Sequence, residues 1–520
     1  MSNRSEVNQV RKWFTSHVAD NGQKYTLDYH QAAIIADTHQ NCLVTARAGS
    51  GKTRTVVAKI IYLIVHERVK PAEIIVFAFN RKARAEINAR LTKITIDGKP
   101  LFTDTPDIAT TFHAFAFHLL DDGNLKKRLI SEDFSNRLTI AALKKILYQT
   151  RERLDEKQFN QLATAATQFI VRAEQLYFAD YNKLYEEINV SDNLRLQLYY
   201  RILLAHHNYL TKHNLLNFNQ MLVQASQKLQ AQTENLSYKY IFIDEYQDFS
   251  LLFLTLVQAL RAKCPNSHLL AVGDDWQAIN GFAGSDVRYF QHFEDYFPED
   301  HVKLFIPTNY RSGRLIVRNA NYFMANGLDD YQGCKAGNKV SSCIHLVNLK
   351  TLHLPPKVYA PKKSYFIEQT FSVIQEIARH HPGRSIKILT RNNELNSINW
   401  GINFFFDRLT ERLGSDISRF SFSTIHRSKG LEADVVILLE IDAGQFPKPP
   451  KPDEIFSIFN ETYESRLADE ERLFYVALTR AKEELYILTS TPPETYNQLD
   501  LAKPNFLCLL NPDWLDEFKF

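Results

Sequence analysis

Thr45-Ala46-Arg47-Ala48-Gly49-Ser50-Gly51-Lys52-Thr53 constrains this chain more than any other stretch. It lies between one apolar run, Asn41-Cys42-Leu43-Val44, and another, Val56 to Val65. That order predicts strand, glycine-rich turn, helix. Such a turn aims the backbone amides of Ala48, Gly49, Ser50 and Gly51 at a phosphate, and the helix N-terminus adds its positive end. Lys52 is placed to reach outer phosphates, Thr53 to hold a magnesium ion, and Arg54 follows them. The generic pattern has glycine six positions before the lysine, and Ala46 stands there. A glycine turn with a chance lysine is the alternative for this segment alone.

A second segment narrows the choice. Tyr240-Ile241-Phe242-Ile243 reads as a buried parallel strand that ends directly in Asp244-Glu245. Ligands of open α/β sheets bind beyond the carboxyl ends of the strands. Asp244 is therefore suited to hold magnesium and Glu245 to orient and deprotonate an attacking water. An acidic helix cap is the other reading of the pair.

The chain has 520 residues, enough for several domains. With 45% hydrophobic and 23% charged residues it has an ordinary globular composition. A net charge of +3 permits a polyanionic partner without requiring one. Arg81-Lys82-Ala83-Arg84, Arg427, Lys429 and Arg480 are local basic points, each equally readable as a solvated face. The 5 cysteines form no Cys-x-x-Cys pair, which suits a reducing compartment. The first residues lack an apolar signal core, and no run reaches the length of a membrane span. The expectation is a soluble cytoplasmic protein, nucleoid-associated if bacterial, with no membrane partner.

Along the chain, strand-like and helical runs alternate up to residue 120. Helical spacing dominates 121–234, and the α/β pattern then returns. Later strands are expected at Leu269–Gly273, Ser385–Thr390, Asp434–Leu439 and Leu485–Leu488. The proline-dense Phe446–Pro452 is expected to be a surface loop.

These motifs, with others in fixed order, resemble the UvrD-like superfamily 1 helicases, over residues 27–490. The bacterial helicase IV branch is suggested by Ser428-Lys429-Gly430-Leu431-Glu432-Ala433-Asp434. The resemblance implies an α/β fold with two tandem RecA-like P-loop NTPase domains and an inserted helical accessory domain. Residues 1–120 and 235–308 would form the first motor domain, 121–234 the insertion, and 309–520 the second motor domain. The short interval from Asn392 to Ser423 implies that the second accessory domain of relatives is absent or strongly reduced.

The resemblance also assigns roles. Gln31, in Leu27-Asp28-Tyr29-His30-Gln31, would read adenine, and Tyr310, in Thr308-Asn309-Tyr310-Arg311-Ser312, would stack on it. Gln277, in Gly273-Asp274-Asp275-Trp276-Gln277, would touch the γ-phosphate and its water. Arg311 and Arg480 would neutralise that phosphate, each with a structural salt bridge as the other reading. Glu432 would contact the nucleotide sugar. Phe79, Lys82, Thr111, Phe112 and His113 would meet DNA, although either phenylalanine could instead be core. Thr424, His426 and Arg427 would lie along the DNA backbone. Asn280-Gly281-Phe282-Ala283-Gly284 departs from the family pattern: Phe282 keeps an aromatic face, Ala283 loses an arginine and Asn280 a tyrosine. The implied activity is 3′-to-5′ movement on single-stranded DNA, driven by ATP with Mg²⁺, and unwinding from a 3′ single-stranded tail. An RNA-directed motor and an ATP-switched scaffold that recruits a repair or defence protein are the rival readings. The tail Asn511–Phe518 could dock on the protein body or on a partner.

Overall fold

The computed structural model describes residues 3–151, 153–191, 193–349, 362–395, 400–448, 457–459, 461–491 and 505–517. Two compact units emerge. One comprises Met1–Thr45, Lys52–Phe305 and Asp453–Glu461, the other Ala46–Gly51, Ile306–Pro452 and Thr462–Phe520.

The first unit is built on β1 (Asn41–Ala46), β2 (Ile74–Ala78), β3 (Ala109–Thr111), β4 (Tyr240–Asp244), β5 (His268–Gly273) and β6 (His301–Ile306). Their spatial order is β6-β1-β5-β4-β2-β3. The pairings β1–β5, β5–β4, β4–β2 and β2–β3 are parallel. These strands are apolar on both faces because helices cover both. Helix Arg81–Thr92 begins where the Asn80 side chain accepts the Ala83 N–H at 2.9 Å. Helix Phe112–Leu120 begins at Thr111 in the same way, through the Ala114 N–H at 3.1 Å.

Between β3 and β4 the chain is helical, with Glu132–Thr150, Glu156–Leu176, Tyr181–Ser191, Leu194–Lys212 and Phe218–Ala231. Leu143, Phe169, Ile188, Tyr199 and Leu203 form a core of their own. A distant segment completes it. Phe459 lies 5.2 Å from the Phe169 ring, and Arg172 pairs with Glu461 at 2.5 Å.

The second unit carries β7 (Cys343–Asn348), β8 (Ile386–Thr390), β9 (Phe420–Thr424), β10 (Ala433–Leu438), β11 (Ala481–Thr489) and β12 (Asp516–Glu517). The order is β9-β8-β10-β11-β7-β12, and every pairing is parallel. The tail lies on this unit's own surface. Beyond the β12 pairing, Trp514 lies 4.2 Å beneath the Arg318 guanidinium. The proline-dense loop is only partly a surface feature. Phe446 is fully buried against Phe474 and Phe506, while Pro449–Pro452 lie outside the described residues. Among the described residues, no helix is long and apolar enough to cross a membrane.

Candidate functional site

In the first unit the helix Lys52–Val65 starts at Lys52, and β4 ends at Asp244. Thr53 Oγ1 donates to Asp244 Oδ2 at 3.3 Å. Asp244 is buried, and burial pushes its carboxyl above the usual range. The Glu245 charge pushes the same way, while Lys52 and the Thr53 hydroxyl oppose it. Two adjacent carboxylates and a hydroxyl are hard oxygen donors with surplus negative charge, which fits Mg²⁺.

Glu245 has left-handed backbone angles, φ 56 and ψ 44. For a residue with a Cβ this conformation costs about 1–2 kcal/mol. It lets the Glu245 N–H donate to Asp244 Oδ1 at 3.1 Å and sets Oε2 to accept from Gln247 Nε2 at 2.5 Å. Gln247 Oε1 in turn accepts the Asp274 N–H at 2.9 Å, and Asp274 Oδ2 accepts from Gln277 Nε2 at 2.6 Å. One buried polar chain therefore joins the end of β4 to the end of β5. Gly273 is required beside it, because a Cβ there would lie 2.5 Å from Gln247 Oε1.

Gln31 is buried as the third residue of a capping box. Its N–H donates to Asp28 Oδ1 at 2.7 Å, and its Oε1 accepts the Asp28 N–H at 3.2 Å. Its amide oxygen is thus engaged locally rather than open to a base. Arg54 donates to Thr26 O and lies 4.5 Å from the Tyr25 ring.

In the second unit Ala46–Gly51 lie against Asn309–Arg311. Asn309 Nδ2 donates to Ala48 O at 2.7 Å, and the Tyr310 N–H donates to Gly49 O at 2.8 Å. Asn309 Oδ1 accepts from the N–H groups of Arg311 and Ser312. Gly49 has φ +75, and a Cβ on it would lie 2.6 Å from Arg311 Cβ. Ser50 is buried, Gly51 has φ +85, and the Tyr310 ring is exposed.

Both arginines have protein partners. Arg311 Nε donates to Glu432 Oε2 at 2.7 Å, so the salt-bridge reading describes its present state. Lys482 lies 2.9 Å from the other oxygen of Glu432. Burial opposes ionisation of Glu432, but the Lys482 hydrogen bond and the Arg311 charge outweigh it and hold its pKa below the ordinary value. Arg480 is fully buried and donates to Val476 O at 2.8 Å and to Leu431 O at 3.3 Å. These two partners are neutral carbonyl oxygens.

The nucleic-acid candidates divide by exposure. Phe112 is a correction. It is 3% exposed, and its ring stacks on Phe77 at 4.5 Å and on Phe253 at 4.1 Å. Both faces are taken by the core, so none is open to a base. Phe79 is half-buried against that core. Thr111 is spent as the helix cap described above. His113 is pushed down to about 4 by burial, so it is neutral near pH 7 and offers no cationic contact. The same holds for His426, where burial acts first and the charges of Arg391 and Lys429 add to it. Thr424 is buried, with its Oγ1 accepting the Arg427 N–H at 3.4 Å. Lys82 and Arg427 are exposed cations. The Phe282 side chain lies outside the described residues. Its neighbours are held: Asn280 Nδ2 donates to Asp248 Oδ1 at 3.0 Å, and Ala283 O accepts from Gln175 Nε2 at 2.7 Å.

Sequence reasoning missed Gln247, Asp274 and Asn309 as site-forming residues. Gln247 and Asp274 sit in the runs after the acidic pair and after β5. A polar residue at the buried end of a parallel strand was the readable signal.

The UvrD/REP helicase N-terminal domain matches residues 27–298, and the UvrD-like helicase C-terminal domain matches residues 407–491. DNA helicase IV of Escherichia coli (strain K12) is 28% identical over 508 residues, covering 88% of this chain and 67% of that protein. A probable DNA helicase of Mycoplasma pneumoniae is 27% identical, covering 90% of this chain and 83% of its own. The ATP-dependent DNA helicase PcrA of Staphylococcus aureus is 26% identical over 309 residues, 58% of this chain and 40% of that protein.

Proposed function

Because the chain belongs to the UvrD/REP helicase family and is thereby an ATP-dependent DNA helicase, we propose that it moves 3′ to 5′ along single-stranded DNA and unwinds duplexes from a 3′ tail. The observation that carries the reading is the polar chain from Thr53 through Asp244, Glu245, Gln247 and Asp274 to Gln277. It links the groups suited to a metal, to a water and to a γ-phosphate in one rigid network.

Thr53 and Asp244 are the residues that would hold Mg²⁺, which supplies positive charge against the outer phosphates. Glu245 orients the attacking water and takes its proton. Gln247 holds the Glu245 carboxylate in place. Lys52, Arg311 and Arg480 neutralise charge on the transferring phosphoryl group. To do so Arg311 must release Glu432, and Arg480 must release Val476 and Leu431. Ala48 to Gly51 cradle the phosphates, with Gln31, Arg54, Tyr310 and Glu432 around the base and sugar.

In this reading residues 1–120 and 235–308 are the first motor domain, 121–234 its helical insertion and 309–520 the second motor domain. Lys82 and Arg427 contribute phosphate contacts, which carry affinity without sequence preference. A role in repair, recombination or defence follows from unwinding. The second reading is an ATP-switched DNA-binding scaffold with partner-dependent unwinding. It is favoured by one observation, the replacement of DNA-gripping residues by Asn280 and Ala283 in a loop held through Asp248 and Gln175.

Matched duplexes with 3′ or 5′ single-stranded tails test the proposal. Unwinding is expected from the 3′ tail alone, with ATP turnover raised by single-stranded DNA and less by RNA. Equal unwinding from 5′ tails would overturn the polarity. DNA-stimulated ATPase without unwinding would favour the scaffold.

A further inference from the structure

Three side chains with metal-ligating atoms meet on the second sheet and a fourth, Asp516, contacts one of them; the helicase reading uses none of the four. Cys343 and His345 are two residues apart on β7, so both stand on one face. On one side the parallel strand β11 sets Glu484 opposite Cys343. On the other side β12 sets Asp516 opposite His345. Ligand atoms of Cys343, His345 and Glu484 all lie within 4.8 Å of one another. Cys343 Sγ donates to Asp516 Oδ2 at 2.9 Å, and His345 Nε2 lies 2.6 Å from Glu484 Oε2. Tyr486 stacks on the His345 ring at 4.4 Å and fixes its plane.

We propose that Cys343, His345, Glu484 and Asp516 form a binding site for a zinc-like divalent ion, which clasps β12 to the sheet. One sulfur, one imidazole and two carboxylates make a four-donor set of the kind Zn²⁺ or Co²⁺ takes and Mg²⁺ does not. A tetrahedral ion with bonds of about 2.0–2.3 Å needs its donors roughly 3.3–3.8 Å apart. The two short contacts therefore open slightly while the wider ones close. Burial, then the Asp516 hydrogen bond and the nearby carboxylates, push the Cys343 thiol up to about 12. Without an ion the sulfur keeps its proton. On binding, the S–H bond breaks, its electron pair goes to the metal and the proton leaves to solvent. His345 Nε2, which donates its N–H to Glu484, gives up that proton as the ring takes the Nδ1–H tautomer, and the lone pair so freed binds the ion with no change of oxidation state.

The test uses the full chain, stripped with a chelator and titrated with Co²⁺. A thiolate-to-cobalt charge-transfer band should saturate at one equivalent, be displaced by Zn²⁺ and resist excess Mg²⁺. Bound Zn²⁺ should also protect Cys343 from alkylation, mapped by mass spectrometry against the other four cysteines. Cys343→Ser should abolish the band. Asp516→Asn should weaken binding at least about tenfold, the floor seen even for outer-sphere partners. DNA-stimulated ATPase should persist in both variants, which shows that they fold. Should Cys343→Ser fail to fold, Asp516→Asn and the alkylation protection decide the matter. No band in the wild type, or equal Co²⁺ affinity in Asp516→Asn, would show a proton-held network and overturn the proposal.

Discussion

Glu245 occupies a backbone conformation that most side chains avoid, and the residues around it hold it there. The strain aims one carboxylate oxygen at Gln247. Replacement by glutamine keeps size and hydrogen bonding but removes the base. Glu245→Gln should bind ATP normally, with DNA-stimulated hydrolysis reduced at least about 10²-fold, the lower end of a general-base contribution. Nucleotide affinity and turnover measured side by side check this, with Lys52→Ala expected to lose both. Near-normal turnover would remove Glu245 from the chemistry. Gly49 makes a second residue-scale case, since its φ of +75 and its approach to Arg311 and Asn309 both exclude a Cβ. Gly49→Ala should weaken nucleotide binding roughly tenfold or more, given about 1–2 kcal/mol for the left-handed angle before any clash. Unchanged nucleotide affinity would show that the turn does not cradle phosphate in this form.

The helical block offers a prediction for an element. Glu174 is buried in helix Glu156–Leu176, accepting from Asn217 Nδ2 at 2.7 Å and Asn219 Nδ2 at 3.1 Å, with His206 at 3.8 Å. Burial raises its carboxyl from 4.5 to about 7, against the two amide hydrogen bonds. The folded state therefore holds the proton to higher pH than the unfolded chain. Its contribution is complete below 4.5 and lost as pH rises through about 7. His206 acts in the opposite sense. Burial lowers it from 6.5 to about 4, with His207 adding, so its contribution is lost as pH falls below 6.5. Comparison with Glu174→Gln isolates the acid. Relative to that variant, the wild type should lose roughly 3 kcal/mol between pH 4.5 and pH 8, at about 1.4 kcal/mol per unit. Urea unfolding at both pH values, or amide exchange along Glu156–Leu176, reads the difference. A wild-type stability that stays level with, or rises relative to, Glu174→Gln over that range would contradict the assignment.

The same block shows what was legible. Helices between 121 and 234 followed from periodicity, but the entry of Phe459 into their core did not, because no local pattern announces a contact nearly three hundred residues away. Phe112 was ambiguous for a physical reason: an aromatic ring suits a core and a base equally well, and only its neighbours decide. The acidic pair after β4 was plain, whereas the left-handed turn at Glu245 had no glycine or asparagine to signal it.

At the scale of the whole molecule, the net charge of +3 makes DNA binding a matter of local cations. Single-strand affinity should fall linearly on a log–log plot against salt, with a slope of about −0.7 per phosphate contacted. Arg427→Ala and Lys82→Ala should each flatten that slope by about one contact, or roughly 0.7. Unchanged slopes would place the phosphate path elsewhere. In the second sheet β8, β10 and β11 were readable one by one, but β7, β9, β12 and the strand order were not. Cys343, His345, Glu484 and Asp516 share a face only because β7 lies between β11 and β12. That arrangement has a temporal side. β7 ends at Asn348, and its neighbour β11 begins at Ala481. A chain emerging from the ribosome must therefore carry β7 without either lateral partner while well over a hundred further residues are made. Loop closure of that span precedes any reward from pairing, so the second unit should fold late and slowly, leaving β7 as a segment for chaperones to shield.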